Sequence, residues 1–220
     1  MNSVFWILVR KDLYLLRGLM VAIVLAGLLA LGLTLLGKFG FAVGGILYLI
    51  ASVAGGMFIA IFTIFNERKD LTRAFSMSLP ISGAKYEQAK VVAGYLAYLL
   101  PWLLLSLMAL ALFMLPGAHH GMLVYVLVLQ GFVLALFSVM LTVLFFVKSE
   151  VMMGPVILSI NLTFSLFMVA LNYPAISGGL DGPNVRWTPF ALWMFAGEVL
   201  AIVLSIVIAL FRIGRRRDYI

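Results

Sequence analysis

Apolar residues run almost unbroken along the chain, and polar ones interrupt them at only a few places. A helix of about 20 residues covers the hydrocarbon core of a bilayer. Six runs meet that length: residues 19–37, 41–65, 91–115, 122–147, 151–171 and 190–211. Residues 1–18 are apolar too, but Ser3, Arg10 and Arg17 recur at a spacing of seven and form one helical stripe, with Lys11 and Tyr14 beside it. That pattern predicts an interfacial helix lying along the membrane. Asp12 projects from nearly the opposite face, with no basic residue three or four positions away. It is read either as a carboxylate that reaches headgroup water or as a contact with a partner subunit. The expected fold class is all-α integral membrane: one transmembrane domain over residues 1–220, with an N-terminal interfacial helix and six transmembrane helices.

Within the spans, a few residues depart from the apolar pattern. Ala22, Ala26, Ala30 and Thr34 recur at every fourth position, a spacing that lets helix backbones approach closely and predicts a packing seam. Pro101 predicts a kink, with its freed carbonyl satisfied by a neighbouring helix or by Ser106. Gln130 and Asn161 carry polar side chains that need partners in lipid. Glu198 lies near the middle of the last span, where a charge such as Asp costs about 2.5–3.5 kcal/mol on insertion scales. No basic residue lies inside a span to pair with it. Glu198, Asn161 and Gln130 are therefore candidate pathway residues. For Glu198 the competing reading is a protonated or hydrogen-bonded packing residue.

The longest polar passage is residues 66–90, which holds five of the fifteen Lys and Arg residues and three of the eight acids. It is divided at Leu79-Pro80, where proline removes an N–H and turns the preceding residue from helical geometry. Two short helices are expected, the second running on into the next span. In the first, Leu71, Ala74, Phe75 and Ser78 share one face, while Glu67, Arg68, Lys69, Asp70 and Arg73 spread over the others. Such a helix lies on a bilayer or docks into a groove. Lys148-Ser149-Glu150 forms a tight polar turn, and residues 172–189, rich in Gly and Pro, form an outer loop flanked by the interfacial anchors Tyr173 and Trp187.

Composition narrows the function. At 65% hydrophobic and 10% charged, the chain lies far from the roughly 45–50% and 25% of soluble domains, leaving no room for a soluble catalytic domain. The net charge of +7 comes from basic residues beside apolar spans, which points to anionic lipid headgroups and not to nucleic acid. Having no cysteine, the chain forms no disulfide or thiolate metal site. No removable signal peptide is expected, because the first apolar run follows a charged amphipathic segment. Thirteen of the fifteen basic residues fall on the side of the termini, residues 66–90 and Lys148. Only Lys38 and Arg186 fall on the other. The positive-inside rule then places both termini in the cytoplasm, and the cell (inner) membrane is the expected location.

Candidate chemistry is sparse. Residues 32–39, GLTLLGKF, match a phosphate-binding loop except at Phe39, where Ser or Thr would bind magnesium, and no strand precedes them. This is a chance match. His119 and His120 are adjacent on a turn with no acid or cysteine close in sequence, so no metal site is assigned. An intramembrane hydrolase needs a nucleophile and base at one depth, and Ser177-Gly178-Gly179 carries no supporting motif.

One resemblance joins these observations. Glu67 and Arg68 after a span, then Ser78-Leu79-Pro80-Ile81-Ser82, then Ala89-Lys90 opening the next span, resemble the first cytoplasmic loop of ABC-2 type transporter permeases. Asp70 and Gly83 depart from that pattern, standing where the family often has Gly and a basic residue. The resemblance implies a non-catalytic transmembrane subunit of an ATP-driven exporter. In it, residues 66–90 form the coupling segment toward a separate ABC ATPase, which carries ATP and Mg, and a second permease subunit completes a homo- or heterodimer. Glu67, Arg68, Asp70, Arg73 and Phe75, with the corner Leu79-Pro80, are the implied ATPase-coupling residues. The alternative is a secondary transporter or channel using Glu198.

The charge count has a direct check. Single cysteines introduced at Ser76 and Ser177 of this cysteine-free chain should label from opposite sides of the membrane; labelling of both from one side sinks the six-span topology.

Overall fold

The structure, a computed structural model, describes residues 2–69, 82–114, 120, 122–146, 153–171 and 185–215, leaving out the side chains of 2–3, 65–69 and 212–215. It has six helices: α1 (Asn2–Thr34), α2 (Gly37–Lys69), α3 (Gly83–Phe113), α4 (Met122–Phe146), α5 (Met153–Leu171) and α6 (Pro189–Arg215). Among the described residues there is no strand. Each helix contains a stretch long and apolar enough to cross a bilayer, so this is a multi-pass membrane protein.

The first helix differs from the expectation. Residues 1–18 do not form a separate interfacial helix; the chain from Asn2 to Thr34 is one uninterrupted helix of 33 residues, about 50 Å at 1.5 Å per residue. Gly18 weakens a helix by only about 1 kcal/mol relative to Ala and breaks nothing here. The early apolar positions find protein: Leu8 and Val9 are buried against Ala89 and Ala93 of α3. Asp12 is buried at 8% exposure, with its Oδ1 3.4 Å from Lys11 Nζ.

α1 and α2 form a hairpin through Leu35 and Leu36, whose N–H groups donate to the carbonyls of Gly32 and Leu33. Gly37 follows with φ +84, a conformation that favours glycine. The motif-like stretch at residues 32–39 is this helical turn. Gly44 of α2 lies against the Ala30 carbonyl, Gly55 of α2 lies under Ile23, and Gly27 of α1 lies under Leu105 of α3. The packing face of α1 is thus Ile23, Gly27, Ala30 and Leu31. The expected stripe coincides with it at Ala30 and continues at Thr34, which lies against Gly44, but Ala22 and Ala26 are exposed. A spacing of four advances about 40° per step on a 3.6-residue helix, so the stripe winds off the face it starts on.

α4 is the hub. It packs against α2, α3, α5 and α6 and is the most buried of the six. α1 closes one side against α2 and α3, while α5 and α6 flank α4 on the other side and barely touch each other. Polar side chains tie the hub down. Gln130 donates from Nε2 to the Tyr48 hydroxyl of α2 at 2.7 Å and accepts from Ser106 Oγ of α3 at 3.1 Å. Its backbone carbonyl accepts from Trp102 Nε1 at 3.1 Å. Tyr98 donates to the Ser52 carbonyl at 3.2 Å, and Ser52 Oγ donates to the Tyr48 carbonyl at 2.9 Å. Ser106, one expected partner for the carbonyl freed by Pro101, is committed to Gln130 instead.

Replacing Gln130 with Leu strands the Ser106 hydroxyl and removes the Tyr48 contact. It should destabilise the protein by about 1–3 kcal/mol in equilibrium unfolding in detergent, and unchanged stability would show that the network holds nothing.

Candidate functional site

α6 meets α4 along Ala191, Glu198, Ser205 and Ala209, all buried and at helical spacing. Three of the four are small, which brings the helices together, and Thr142 Oγ1 of α4 shares its proton between the Ser138 carbonyl of its own helix at 2.8 Å and the Ser205 carbonyl of α6 at 3.0 Å. The fourth carries a carboxyl group. Opposite it α4 has Gly131, where a Cβ would collide with Glu198 Oε2, so the carboxyl group lies in space that the glycine leaves open. Glu198 is 6% exposed, and neither carboxylate oxygen has a hydrogen-bond partner among the described residues.

Glu198 lines a cavity of about 710 Å³ between α4, α5 and α6. The space exists because α5 and α6 both dock on α4 without docking on each other. Its walls are largely apolar, with Leu136 and Met140 from α4 and a stacked pair, Phe132 and Phe167, whose ring centroids are 3.5 Å apart. Ser159 and Thr163 of α5 are its other polar side chains, and their hydroxyls donate at 2.8 Å to the carbonyls of Pro155 and Ser159. Their protons are already committed, which leaves the carboxylate as the cavity's one ionisable group.

The three intramembrane polar candidates are not brought together. Gln130 is next to Gly131 in sequence, yet its side chain turns the other way, into the closed network with Tyr48 and Ser106. Asn161 lies exposed on α5, and its Nδ2 satisfies itself on the Ile157 carbonyl at 2.9 Å. Only Glu198 faces the cavity.

Of the coupling residues, Glu67 and Arg68 fall on the last turn of α2, with side chains outside those described. Asp70, Arg73, Phe75, Leu79 and Pro80 lie outside the described residues. What is described is the base of that passage. Ser82 caps α3 by accepting from the Lys85 N–H at 3.4 Å, and α3 then continues unbroken to Phe113. Lys90 is buried at 7% exposure, and its Nζ donates to the Thr63 carbonyl of α2 at 3.1 Å. It shares a cavity of about 370 Å³ with Asp12 of α1 and Thr63. His120 places Nδ1 3.0 Å from the Phe113 carbonyl at the end of α3, and His119 lies outside the described residues.

Sequence reasoning missed two features. Gly131 was one glycine among twenty, and only its place opposite Glu198 gives it meaning. The meeting of Asp12 and Lys90 joins residues 78 positions apart; the one local signal was Lys90 standing among the small residues Ala89 and Ala93 of a packing face. No family model matches the chain, and neither a curated protein nor a solved structure does. The likeness to ABC-2 permeases therefore rests on residues 66–90 and on the order of the spans.

The contact of Gly131 with Glu198 is open to a double-mutant cycle. Gly131→Ala makes the Glu198 carboxyl swing aside, so it should gain less than the roughly 1 kcal/mol that Ala is worth over Gly in a helix. The full gain should return in a Glu198→Ala background, whereas equal effects in both backgrounds would show that the two residues do not meet.

Proposed function

We propose that the chain is the non-catalytic permease subunit of an ATP-driven exporter of the ABC-2 kind, paired with a second permease subunit and driven by a separate ABC ATPase that holds ATP and Mg. The observation that carries this reading is the link at the base of the 66–90 passage. α2 runs through its span to Lys69, α3 begins at Gly83, and Lys90 Nζ joins the two through the Thr63 carbonyl. A force applied between residues 70 and 81 would act on two long helices clamped together. Trp102 and Ser106 of α3 continue the connection to Gln130 on the hub helix. Rigid elements joined in this way carry a displacement without dissipating it in loops. The excess of basic residues on the side of this passage puts it, with both termini, in the cytoplasm, where an ATPase would bind.

A second reading is favoured by a different observation, the unpartnered Glu198 carboxylate at the cavity wall. Intramembrane acids mark ion and substrate pathways, and a secondary transporter or channel would use this one directly. The two readings separate on energy source: the first requires ATP hydrolysis by a partner, the second runs on an ion gradient alone.

The sharper probe of coupling is Phe75, the largest apolar side chain on the face it shares with Leu71 and Ala74. In a small docking interface a few such residues dominate and rim charges add little. Phe75→Asp should weaken co-purification of the ATPase by about 30-fold or more, or uncouple its turnover from transport, with membrane insertion unchanged. The Glu67→Lys, Arg68→Glu double change should act less strongly. Normal association and transport in the Phe75 variant would remove coupling from this face.

A further inference from the structure

The geometry points to the cavity between α4, α5 and α6 as a binding site for a lipophilic organic cation, with Glu198 as its counter-ion. The argument begins with what the carboxylate lacks. It is buried at 6% exposure, neither oxygen has a partner among the described residues, and no lining residue is basic. A buried carboxylate in that condition attracts a positive charge more strongly than it would in water, because nothing else nearby screens it.

The walls decide what kind of cation. Hard metal ions take six or more oxygen ligands, whereas this cavity offers one carboxylate and two hydroxyls on neighbouring turns of α5. Sugars and peptides bring many donors and acceptors, and here the Ser159 and Thr163 protons are spent on their own helix. An anion would meet the carboxylate, and a neutral apolar molecule would leave it unpaired. A monovalent cation with an apolar body satisfies both parts of the site, with its charge at Glu198 and its bulk against Leu136, Met140 and the Phe132–Phe167 pair, whose rings favour cations. The volume of about 710 Å³ lies within the roughly 300–1,000 Å³ of small-molecule sites. The way in is from the side. Ser159, Thr163 and Gly197 on the rim are exposed between two helices of spanning length, so the mouth opens toward the lipid, where such molecules concentrate.

The site is tested by equilibrium binding of radiolabelled tetraphenylphosphonium to the purified full chain in lipid nanodiscs, without ATPase or ATP. The wild type should bind saturably. Glu198→Gln, which keeps shape and removes charge, should weaken binding about tenfold or more. Gly197→Leu should abolish it by filling the space, because a Cβ at Gly197 meets nothing within 4 Å. Thermal unfolding checks that both variants fold. Two readouts need no variant: radiolabelled tetraphenylborate, measured on its own because it pairs with the phosphonium in solution, should not bind saturably, and phosphonium binding should fall as pH drops and the carboxylate is protonated. The groups facing Glu198 from α4 and α5, among them Gly131, Ala135, Ser159 and Thr163, do not titrate in that range. Absence of saturable binding by the wild type, unchanged affinity in Glu198→Gln, or saturable binding of tetraphenylborate with equal affinity overturns the assignment. None of these outcomes touches the coupling role proposed for residues 66–90, since no ATPase is present.

Discussion

The bilayer core supplies no water, so each polar group placed there needs a partner from the protein itself, and the arrangement of the six helices follows from how that demand is met around Gln130. One amide on α4 uses its donor on Tyr48 of α2 and its acceptor on Ser106 of α3, while its backbone carbonyl takes Trp102 of α3. Dispersion alone leaves helices in lipid free to slide, because lipid tails are as apolar as leucine. Directional bonds to two neighbours remove that freedom. With α2 and α3 fixed on α4, α1 can lie in the remaining groove, and the glycines at 27, 44 and 55 bring its backbone close.

One residue further on, α4 does the opposite. Gly131 presents no side chain to α6, and the space it leaves is taken by a carboxylate that receives no partner. A buried carboxyl group without a partner is destabilising, and α6 offsets it by the close fit of Ala191, Ser205 and Ala209 and the shared Thr142 proton. Leucine in place of Glu198 would pack the same seam without the penalty. Adjacent positions of α4 thus serve different ends: Gln130 is polar so that the fold has one arrangement, and Gly131 makes room for Glu198 of α6, which is polar at the expense of the fold.

The number of the spans was legible because unbroken apolar runs of bilayer length admit few other structures. Glu198 was legible for the same reason, as the lone ionisable residue near the middle of a span. What periodicity could not show was which face of a helix meets which neighbour. Four small residues of α1 suggested a seam, but Ala22 and Ala26 point outward, and the real face mixes the bulk of Ile23 and Leu31 with Gly27. The charged stripe in residues 1–18 suggested a surface helix, because amphipathicity looks alike whether the apolar side meets lipid or Ala89 and Ala93 of another helix. Gln130 and Glu198 looked equivalent in sequence, and only their neighbours separate them.

The position of α4 also sets how the two halves of the molecule communicate. α1, α2 and α3 form a block clamped by the α1–α2 turn, the Lys90 link and the Gln130 bonds. α5 rests on α4, and α6 rests on α4 with a smaller contact to α3. Since α5 and α6 make little backbone contact with each other, the width of the gap between them is set chiefly by how each sits on α4. A tilt of α4 imposed through Trp102, Ser106 and Tyr48 would carry the seats of both helices with it, while on the α1 side it would work against close glycine contacts.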